Sequence, residues 1–547
     1  MVSLAGLGID IEHIEDEDIR KAIILLCNLI EELSSDNSKI REENQRLRDE
    51  NAHLKGEQGK PRIPGRDNKR SADISSESER SLQGKERRKK RSKNLQITRT
   101  EVVTVDQTTL PEDAVFKGYE QVVVQDIVIT TETIAFQKEV YYSPLLRKTF
   151  TGVVPDWYQG AFGPRLKAVI ILLKTVCNMT EPKIGALLTS FGITISKSSI
   201  DRILLKKKEE FHKEKQAIYE AGLTSTLYQH IDDTGFRMNG KNLHTHVLCN
   251  PLYSAYFTTE KKDRLTILDI LNSFTPRLFL FNKETFWLCE QMRVAEKYRI
   301  LLREIPQNVL LREGNLTDLI EGYSIPSVLK TRILEAAAIA AYHADREKPI
   351  VQILVADDAP QFKFVTEDLA LCWVHDGRHY KKLAPFISGN QDIRETFLSR
   401  YWEFYRKLLL YKASPTAEKK ELLSQEFDTL FATQTAYHIL NDRIAKTKAK
   451  KKELLLVLDY PDLPLHNNPA ELAARQQVRK RDVSLQTKTK EGTKVQDTFL
   501  TIVETAKKLK VNIYEYILDR VKGTYNLPSL ADIIRERTAN PAFINAP

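Results

Sequence analysis

The chain has 547 residues, of which 41% are hydrophobic and 29% are charged, and this composition is typical of a soluble protein with several globular domains. No apolar run approaches the ~18 residues that a membrane-spanning helix needs, and the acidic start "MVSLAGLGIDIEHIEDEDIR" does not resemble a signal peptide. Five scattered cysteines argue against a disulfide framework and suit a reducing compartment. We therefore expect a cytoplasmic protein without a membrane partner.

The net charge of +9 is concentrated in one segment. Residues 60–94 contain 13 Lys or Arg and 5 Asp or Glu, a net charge of +8. Residues 56–94 lack hydrophobic periodicity and are rich in Ser, Gly, Pro and charge, so they are predicted to form a flexible basic linker. The part "KERRKKRSK" could bind nucleic-acid phosphates without reading sequence. A solvated linker is the alternative.

Residues 1–55 are predicted to contain an oligomerisation helix, because residues 17–55 carry a heptad repeat with apolar residues and three asparagines at the core positions. The core positions are Ile23, Ile30, Asn37, Asn44 and Asn51, and Leu26, Leu33, Ile40, Leu47 and Leu54. This pattern favours a coiled coil that joins two or more copies of the chain. The alternative is an amphipathic helix that packs on its own domain.

Residues 95–150 are predicted to form a small β module. The runs "QITRTEVVTVD" and "QVVVQDIVITTETIAFQKEVYY" are rich in β-branched residues and nearly alternate. The module contains no Cys or His, which excludes a zinc ribbon.

Residues 151–221 are predicted to be a helical region that resembles a helix-turn-helix. Gly192 ends one predicted helix and Ser196 caps the next. A DNA-reading pair of helices would place Lys197 and Arg202 near the start of its second helix. Two ordinary packed helices are the alternative.

From residue 222 onward, predicted strands and helices alternate, and two of the strands end in paired carboxylates. "TSTLYQHIDDTG" ends near Asp232 and Asp233, and "PIVQILVADDAPQF" ends near Asp357 and Asp358. Neighbouring residues of a regular strand point to opposite faces, so only one aspartate of the first pair can bind a shared ligand directly. The residues alone do not say which. A solvated turn is the simplest alternative for each pair.

A third candidate carboxylate, Glu471, lies at the start of a predicted helix in "HNNPAELAARQQVRKRDVSLQTKTKEGT". Three carboxylates from two strands and a later helix could hold two divalent metal ions ~3.5–4 Å apart, which activate a nucleophile and stabilise the leaving oxygen of a phosphodiester. Oxygen ligands suit Mg²⁺. The alternative is a favourable charge at a helix N-terminus.

Four sequence motifs together resemble a bacterial DDE transposase of the insertion-sequence-66 type. They are "HIDDTGFRMNGKNLHTHVL", "LVADDAPQF", "LCWVHDGRHYKKL" and "NNPAELAARQQVRKRDVSLQTKTKEGTKVQDTFLTIVETAKKLKVNIYEYILDRV". The segments "EENQRLRDENAHLKGEQGK" and "TISKSSIDRIL" are also similar to this family, and the motifs occur in the family's order. The resemblance covers most of the chain.

The resemblance implies a multidomain α/β protein with a ribonuclease-H-like catalytic core at residues 222–525, followed by a C-terminal tail at 526–547. It implies that Asp232, Asp357 and Glu471 bind two Mg²⁺ ions, for which Mn²⁺ can substitute. The implied reaction is metal-dependent cleavage of DNA at transposon ends and strand transfer into target DNA. The implied partners are DNA, a second copy of the chain and small accessory proteins of the same element. The basic residues expected to contact DNA phosphates are Arg475, Arg479, Arg481 and Lys488.

The "CWVH" motif has two interpretations. His375 could lie by the active site and contact a DNA phosphate, as a similar motif in several DDE transposase groups implies. It could equally be a packed histidine of a helix. A half zinc site with Cys372 is a weaker alternative, because no second Cys/His pair accompanies it.

The sequence also departs from the family pattern. Asp233 replaces the family's Glu, Leu472 replaces the usual Arg, and the cysteine-rich zinc module before the core is missing. Residues 275–349 are predicted to be a helical insertion in the core. A catalytically inactive, transposase-derived DNA-binding or regulatory protein and a coiled-coil scaffold are therefore the competing interpretations.

Overall fold

The computed structural model describes residues 16–54, 96–111, 113–158, 160–345, 350–385 and 388–540. The chain divides by its internal contacts into a larger unit, residues 1–65, 153–184 and 196–547, and a smaller unit, residues 66–152 and 185–195. The predicted basic linker at 56–94 lies outside the described residues.

Helix α1 (Glu17–Leu54) agrees with the long helix predicted from the heptad repeat. Asp16 starts it, because its carboxylate accepts hydrogen bonds from the backbone N–H groups of Asp18 and Ile19 at 3.0 and 3.1 Å. The heptad residues Leu26 and Leu33 are 57% and 63% exposed in the single chain. Pairing of two such helices stays a prediction.

The β module predicted at 95–150 is much smaller in the structure. Its described residues form one antiparallel pair, β1 (Val140–Ser143) with β2 (Lys148–Thr151). The prediction of strands in the preceding part is wrong for residues 96–111 and 113–139, which contain a 3-10 turn at Gln107–Thr109 and no strand. These residues are exposed, and a β-branched run forms a strand only when a partner strand and a buried face are available.

Four helices precede the central sheet: α2 (Pro164–Thr175), α3 (Glu181–Ser190), α4 (Lys197–Leu205) and α5 (Glu209–Leu223). The predicted turn residues behave as expected, since Gly192 has φ +81° and the Ser196 hydroxyl accepts a hydrogen bond from Ser199 N at 3.2 Å. The helices of the predicted helix-turn-helix are therefore present, while DNA reading by them stays a prediction.

The larger unit contains a five-stranded mixed sheet. Its strands are β3 (Tyr228–Met238), β4 (Lys241–Cys249), β5 (Ser254–Thr259), β8 (Ile353–Ala356) and β9 (Asp368–Leu371). They lie in the order β5-β4-β3-β8-β9, in which the meander β3–β4–β5 is antiparallel and β3, β8 and β9 are parallel. Asn239 and Gly240 join β3 to β4 with φ of +47° and +80°, as a type I′ hairpin turn requires. This mixed α/β arrangement is compatible with a ribonuclease-H-like core.

The predicted insertion at 275–349 is mostly helical in its described part, and it also contains a short antiparallel pair of strands that was not predicted. Helix α6 (Arg264–Leu271) precedes it. Its elements are β6 (Leu278–Leu280), α7 (Lys283–Gln291), α8 (Glu296–Leu301), β7 (Leu310–Arg312), α9 (Glu313–Glu321) and α10 (Ser327–Ala344).

The described part of the chain after β9 is helical, and its last helix lies within residues 526–547, the segment expected to be a C-terminal tail. Its helices are α11 (Trp373–Lys381), α12 (Ser388–Ala413), α13 (Ala417–Leu430), α14 (His438–Lys448), α15 (Lys451–Leu454), α16 (Asn468–Ser484), α17 (Lys490–Lys508), α18 (Ile513–Lys522) and α19 (Leu530–Ala539). Helices α16 and α17 cover one face of the sheet, where Val247 and Tyr256 pack with Ala473, Ala474 and Leu500. Within the described ranges, no helix is long and apolar enough to span a bilayer.

Candidate active site

Two of the predicted carboxylates lie at the same edge of the sheet. Strands β3 and β8 run parallel, and their register pairs His230 with Val355. Asp232 and Asp357 each follow two residues later. Asp357 follows the end of β8, but the prediction that the first strand ends at Asp232 and Asp233 is wrong, because β3 continues to Met238 in its hairpin with β4. Continued in register, the two strands carry both carboxylates out side by side at the carboxyl end of the parallel pair.

Asn467 connects the start of α16 to β3 immediately before Asp232. Its Nδ2 donates a hydrogen bond to Ile231 O at 2.7 Å, and its Oδ1 accepts one from His230 Nδ1 at 2.9 Å. Burial lowers the pKa of His230 to about 3, so this imidazole is neutral. Glu471 N donates to Asn467 O at 3.1 Å in the first turn of α16. The same asparagine therefore fixes the strand that carries Asp232 and the helix that carries Glu471.

Cys372 makes a similar connection for the second strand. Its backbone N donates to Ala356 O at 3.0 Å, next to Asp357. Its thiol sulfur accepts hydrogen bonds from His375 N at 3.3 Å and Asn467 N at 3.2 Å. Burial raises the pKa of the Cys372 thiol to about 12. Cys372 is thus a protonated cap of α11, and its contacts give no support to the half zinc site considered from the sequence.

The acidic side chains act on one another electrostatically. Burial, with smaller contributions from the charges of Asp357, Glu471 and Asp233, raises the pKa of Asp232 to about 7, against a hydrogen bond from Asp233 N that lowers it. Burial also raises the pKa of Asp357, a shift that the nearby His375 opposes. The three carboxylates predicted as a site therefore share one electrostatic environment, and His375 lies within range of it.

Glu471 faces Arg378 of α11. The two guanidinium NH groups donate to the two carboxylate oxygens at 3.1 Å each, which is the paired geometry that Arg makes with a carboxylate. As the side chains stand, no group of three Asp, Glu, His or Cys among the described residues is placed to hold a metal ion.

The donors nevertheless fit Mg²⁺ in chemical terms. Mg²⁺ is usually bound by one or two carboxylates together with waters and substrate phosphates, without a closed protein cage. Asp232 and Asp357 supply two such carboxylates from adjacent strands, and burial raises the pKa of both. Glu471 reaches the same environment from α16.

The second aspartate of each pair has other partners. Asp233 accepts a hydrogen bond from Gln361 Nε2 at 2.8 Å and lies 3.5 Å from Lys262 Nζ. Asp358 forms ion pairs with Lys363 and Lys450. Burial alone would raise the pKa of Asp358, but the two lysines outweigh it, so the pKa lies below its usual value. The paired aspartates therefore differ in their surroundings, and Asp232 and Asp357 are the two that lack such basic partners within the described residues.

The predicted DNA-contacting residues lie in two places. Lys197 and Arg202 are exposed on α4. Arg475 and Arg479 are exposed on α16 at four-residue steps from Glu471, which places all three along one side of that helix.

Two further candidates follow on the same stretch. Arg481 donates a hydrogen bond to Gly235 O of β3, so one of its guanidinium N–H groups is already used within the protein. Lys488 is exposed in the segment after α16. That segment is held against the end of β3, because Asn239 N donates to Thr487 O at 2.9 Å and Thr487 N donates to Arg237 O at 3.1 Å.

Three residues of the site were not singled out from the sequence: Asn467, Arg378 and Gln361. Each lies inside a motif quoted for the family resemblance, and Asn467 belongs to "HNNP". The partners of Asn467 lie 95 to 237 residues away, so no local pattern could predict these contacts.

Comparison with known proteins concerns the part of the chain that carries most of these residues. Residues 341–495 match the family model "Transposase IS66 family", a range that includes Asp357, His375, Arg378 and Glu471. The match supports an IS66-type transposase. It confirms the resemblance predicted from the sequence motifs. The chain is also similar to "Uncharacterized protein y4jO" of Sinorhizobium fredii, with 29% identity over 303 residues, which is 55% of this chain and 94% of that protein.

Proposed function

We propose that this chain acts as an IS66-type transposase, which cleaves DNA at transposon ends and joins the freed 3′-hydroxyls to target DNA, using a ribonuclease-H-like core. The observation that carries the proposal is the convergence of three carboxylates. Adjacent parallel strands carry Asp232 and Asp357, and the charges of Asp357 and Glu471 both act on Asp232. These acids are separated by up to 239 positions in the sequence, which is hard to explain by chance turns.

In this proposal Asp232 and Asp357 hold Mg²⁺, with Mn²⁺ as a substitute, and Glu471 completes the ligand set. When bound, two such ions activate the attacking oxygen and stabilise the leaving oxygen of the phosphodiester. Arg378 orients the Glu471 carboxylate through its two hydrogen bonds. Burial of the acids keeps competing water away and strengthens their attraction for a cation.

The surrounding positive charge positions DNA. Arg475 and Arg479 extend along α16 from Glu471, so a strand that enters the site would meet them in succession. Such contacts fix the position of the backbone without reading bases. Lys197 and Arg202 of the helix-turn-helix-like region are the candidates for contact with the transposon end. The coiled coil would hold two subunits together so that both ends are cut in one complex, with accessory proteins of the element as further partners.

A nicking assay tests the proposal. Purified protein is incubated with plasmid DNA that carries the element's own ends, with Mg²⁺, with Mn²⁺ or with EDTA. We expect nicking with either metal, none with EDTA, and a loss of about 10²-fold or more in Asp232→Asn, Asp357→Asn and Glu471→Gln, because each removes a charge that the metals need. DNA binding is measured in parallel and should persist in all three variants.

Asp482→Asn is the matched control, since Asp482 is exposed on α16 and about 16 Å along the helix from Glu471. It should nick like the wild type. Nicking that survives in all three site variants would overturn the assignment. Wild-type protein that binds the ends but never nicks them would instead favour the catalytically inactive, DNA-binding interpretation.

A further inference from the structure

The loop of residues 358–365, here called the acid-side loop, directly follows Asp357 and is fixed to the active site. Gln361 Nε2 donates a hydrogen bond to Asp233 Oδ2 at 2.8 Å. Lys363 Nζ lies 2.9 Å from the Asp358 carboxylate. The Gln361 hydrogen bond therefore ties this loop to β3 at the residue that follows Asp232.

The other side of the acid-side loop is held by helices of the insertion and by α6. Arg264 donates to Lys363 O at 2.8 Å and also pairs with Glu335 of α10. His343 of α10 contacts Val365 O at 3.1 Å and Glu284 of α7 at 2.6 Å. The acid-side loop thus contacts both the insertion and the active site.

Two aromatic side chains meet where the loop joins the insertion. Trp287 of α7 and Phe364 pack edge to face, with ring centroids 6.0 Å apart. Trp287 is 51% exposed, although a tryptophan side chain gains more by burial than most residues. Phe364 has φ +68°, a conformation that costs a bulky residue energy and that is retained mostly at functional sites. Lys283, one turn before Trp287 on the same side of α7, is also exposed.

We propose that Trp287 and Phe364 form a stacking platform for an unpaired DNA base close to the cleavage site. This inference rests on the proposed function. Trp287 is exposed and Phe364 is half-buried. Accessible aromatic rings beside a lysine are the combination that binds single-stranded nucleic acid, in which bases stack on rings and phosphates meet the positive charge. Seven residues separate Asp357 from Phe364, so the platform lies within about 24 Å of the acids, roughly seven nucleotide steps along a strand. The insertion would in this way hold an opened DNA end near the metals.

The test compares two DNA probes of the same sequence, a blunt duplex and a duplex with a four-nucleotide 3′ overhang that contains 2-aminopurine. All proteins carry Asp232→Asn, so binding is measured without cleavage and is independent of whether the wild type cuts. The reference protein should bind the overhang about tenfold more tightly than the blunt duplex and quench 2-aminopurine fluorescence on binding. Trp287→Ala should bring the ratio of the affinities for the overhang and the blunt duplex close to one and remove the quenching. Trp287→Phe should keep most of the affinity ratio and most of the quenching.

Trp157→Ala is the matched control, because Trp157 is also partly exposed, at 37%. It should leave the overhang ratio unchanged. An unchanged ratio in a Trp287→Ala protein that melts like its parent would overturn the proposal. So would a Trp287→Ala variant whose sedimentation changes while the ratio does not, since the aromatic pair would then contact another protein chain.

Discussion

Truncation of Asn467 to alanine should damage the active site more than the rest of the protein. The Asn467 side chain, 2% exposed, makes two hydrogen bonds at the strand that carries Asp232. Alanine would leave Ile231 O without this donor and buried His230 Nδ1 without an acceptor. The backbone hydrogen bond from residue 467 to Cys372 would remain.

The expected loss in the free energy of unfolding follows from Ile231 O and His230 Nδ1, the two groups that lose a hydrogen-bond partner. A buried polar group that loses its partner costs about 1–3 kcal/mol, so the two groups together give about 2–6 kcal/mol. Most of this loss should be local, because both hydrogen bonds join β3 to the start of α16. Glu471 lies one helical turn beyond Asn467, so we expect its position to become less defined and nicking to fall about 10²-fold, while binding of blunt duplex DNA changes little.

Asn468→Ala is the control for this substitution. Asn468 is also buried, at 7% exposure, but its Nδ2 has no hydrogen-bond partner among the described residues. The same loss of atoms should therefore cost much less there. Thermal melting, hydrogen exchange of the β3 peptide and nicking rate are compared for the two variants. Equal effects of the two substitutions on all three measurements would refute the connecting role that we give to Asn467.

Two further predictions concern charge in the site. Because burial and neighbouring acids raise the folded-state pKa of Asp232 to about 7, the folded metal-free protein binds more protons than the unfolded chain between about pH 4 and pH 7. Its stability in EDTA should therefore fall as pH rises through this window, by up to about 4 kcal/mol, and Asp232→Asn should flatten the dependence measured by urea unfolding. Arg378→Gln leaves the Glu471 carboxylate without its counter-charge and should lower stability in EDTA by about 1–3 kcal/mol, with a larger recovery of melting temperature on adding Mg²⁺ than the wild type shows. Lys420→Gln, which breaks an exposed ion pair, should change melting very little, and a similar small change for Arg378→Gln would contradict the prediction.

Much of the fold could be predicted because its signals are local. The β3–β4 hairpin follows from alternating residues around Asn239 and Gly240, and α4 follows from its Ser196 cap. Strands β6, β7 and β9 were missed, because three or four residues are too few to show a period. The prediction of strands in residues 96–139 is wrong for the opposite reason. A long β-branched pattern is present there, but the described residues offer no surface on which these side chains could be buried.

Part of the candidate site could be predicted from the sequence. The difference between the predicted residues and the missed ones has a physical cause. Asp232, Asp357 and Glu471 could be named because alternating strand patterns, a helix start and the family resemblance mark them in the sequence, although β3 continues beyond Asp232 to Met238. Arg378 and Asn467 act only through partners that the fold brings close, such as the Glu471 carboxylate 93 residues away from Arg378. Residues that hold other residues in place carry no sequence pattern of their own.

The distribution of counter-charges distinguishes the two aspartates of each pair. One aspartate of each pair is neutralised or held by the protein: Asp233 by Gln361 and Lys262, and Asp358 by two lysines. The other, Asp232 or Asp357, has no Lys or Arg ion pair within the described residues. Because uncompensated buried charge is costly, the acid of each pair that has no Lys or Arg ion pair gains most from an external cation. The proposed function therefore assigns the first aspartate of each pair as a metal ligand, while Asp233 and Asp358 hold the acid-side loop through Gln361 and Lys363.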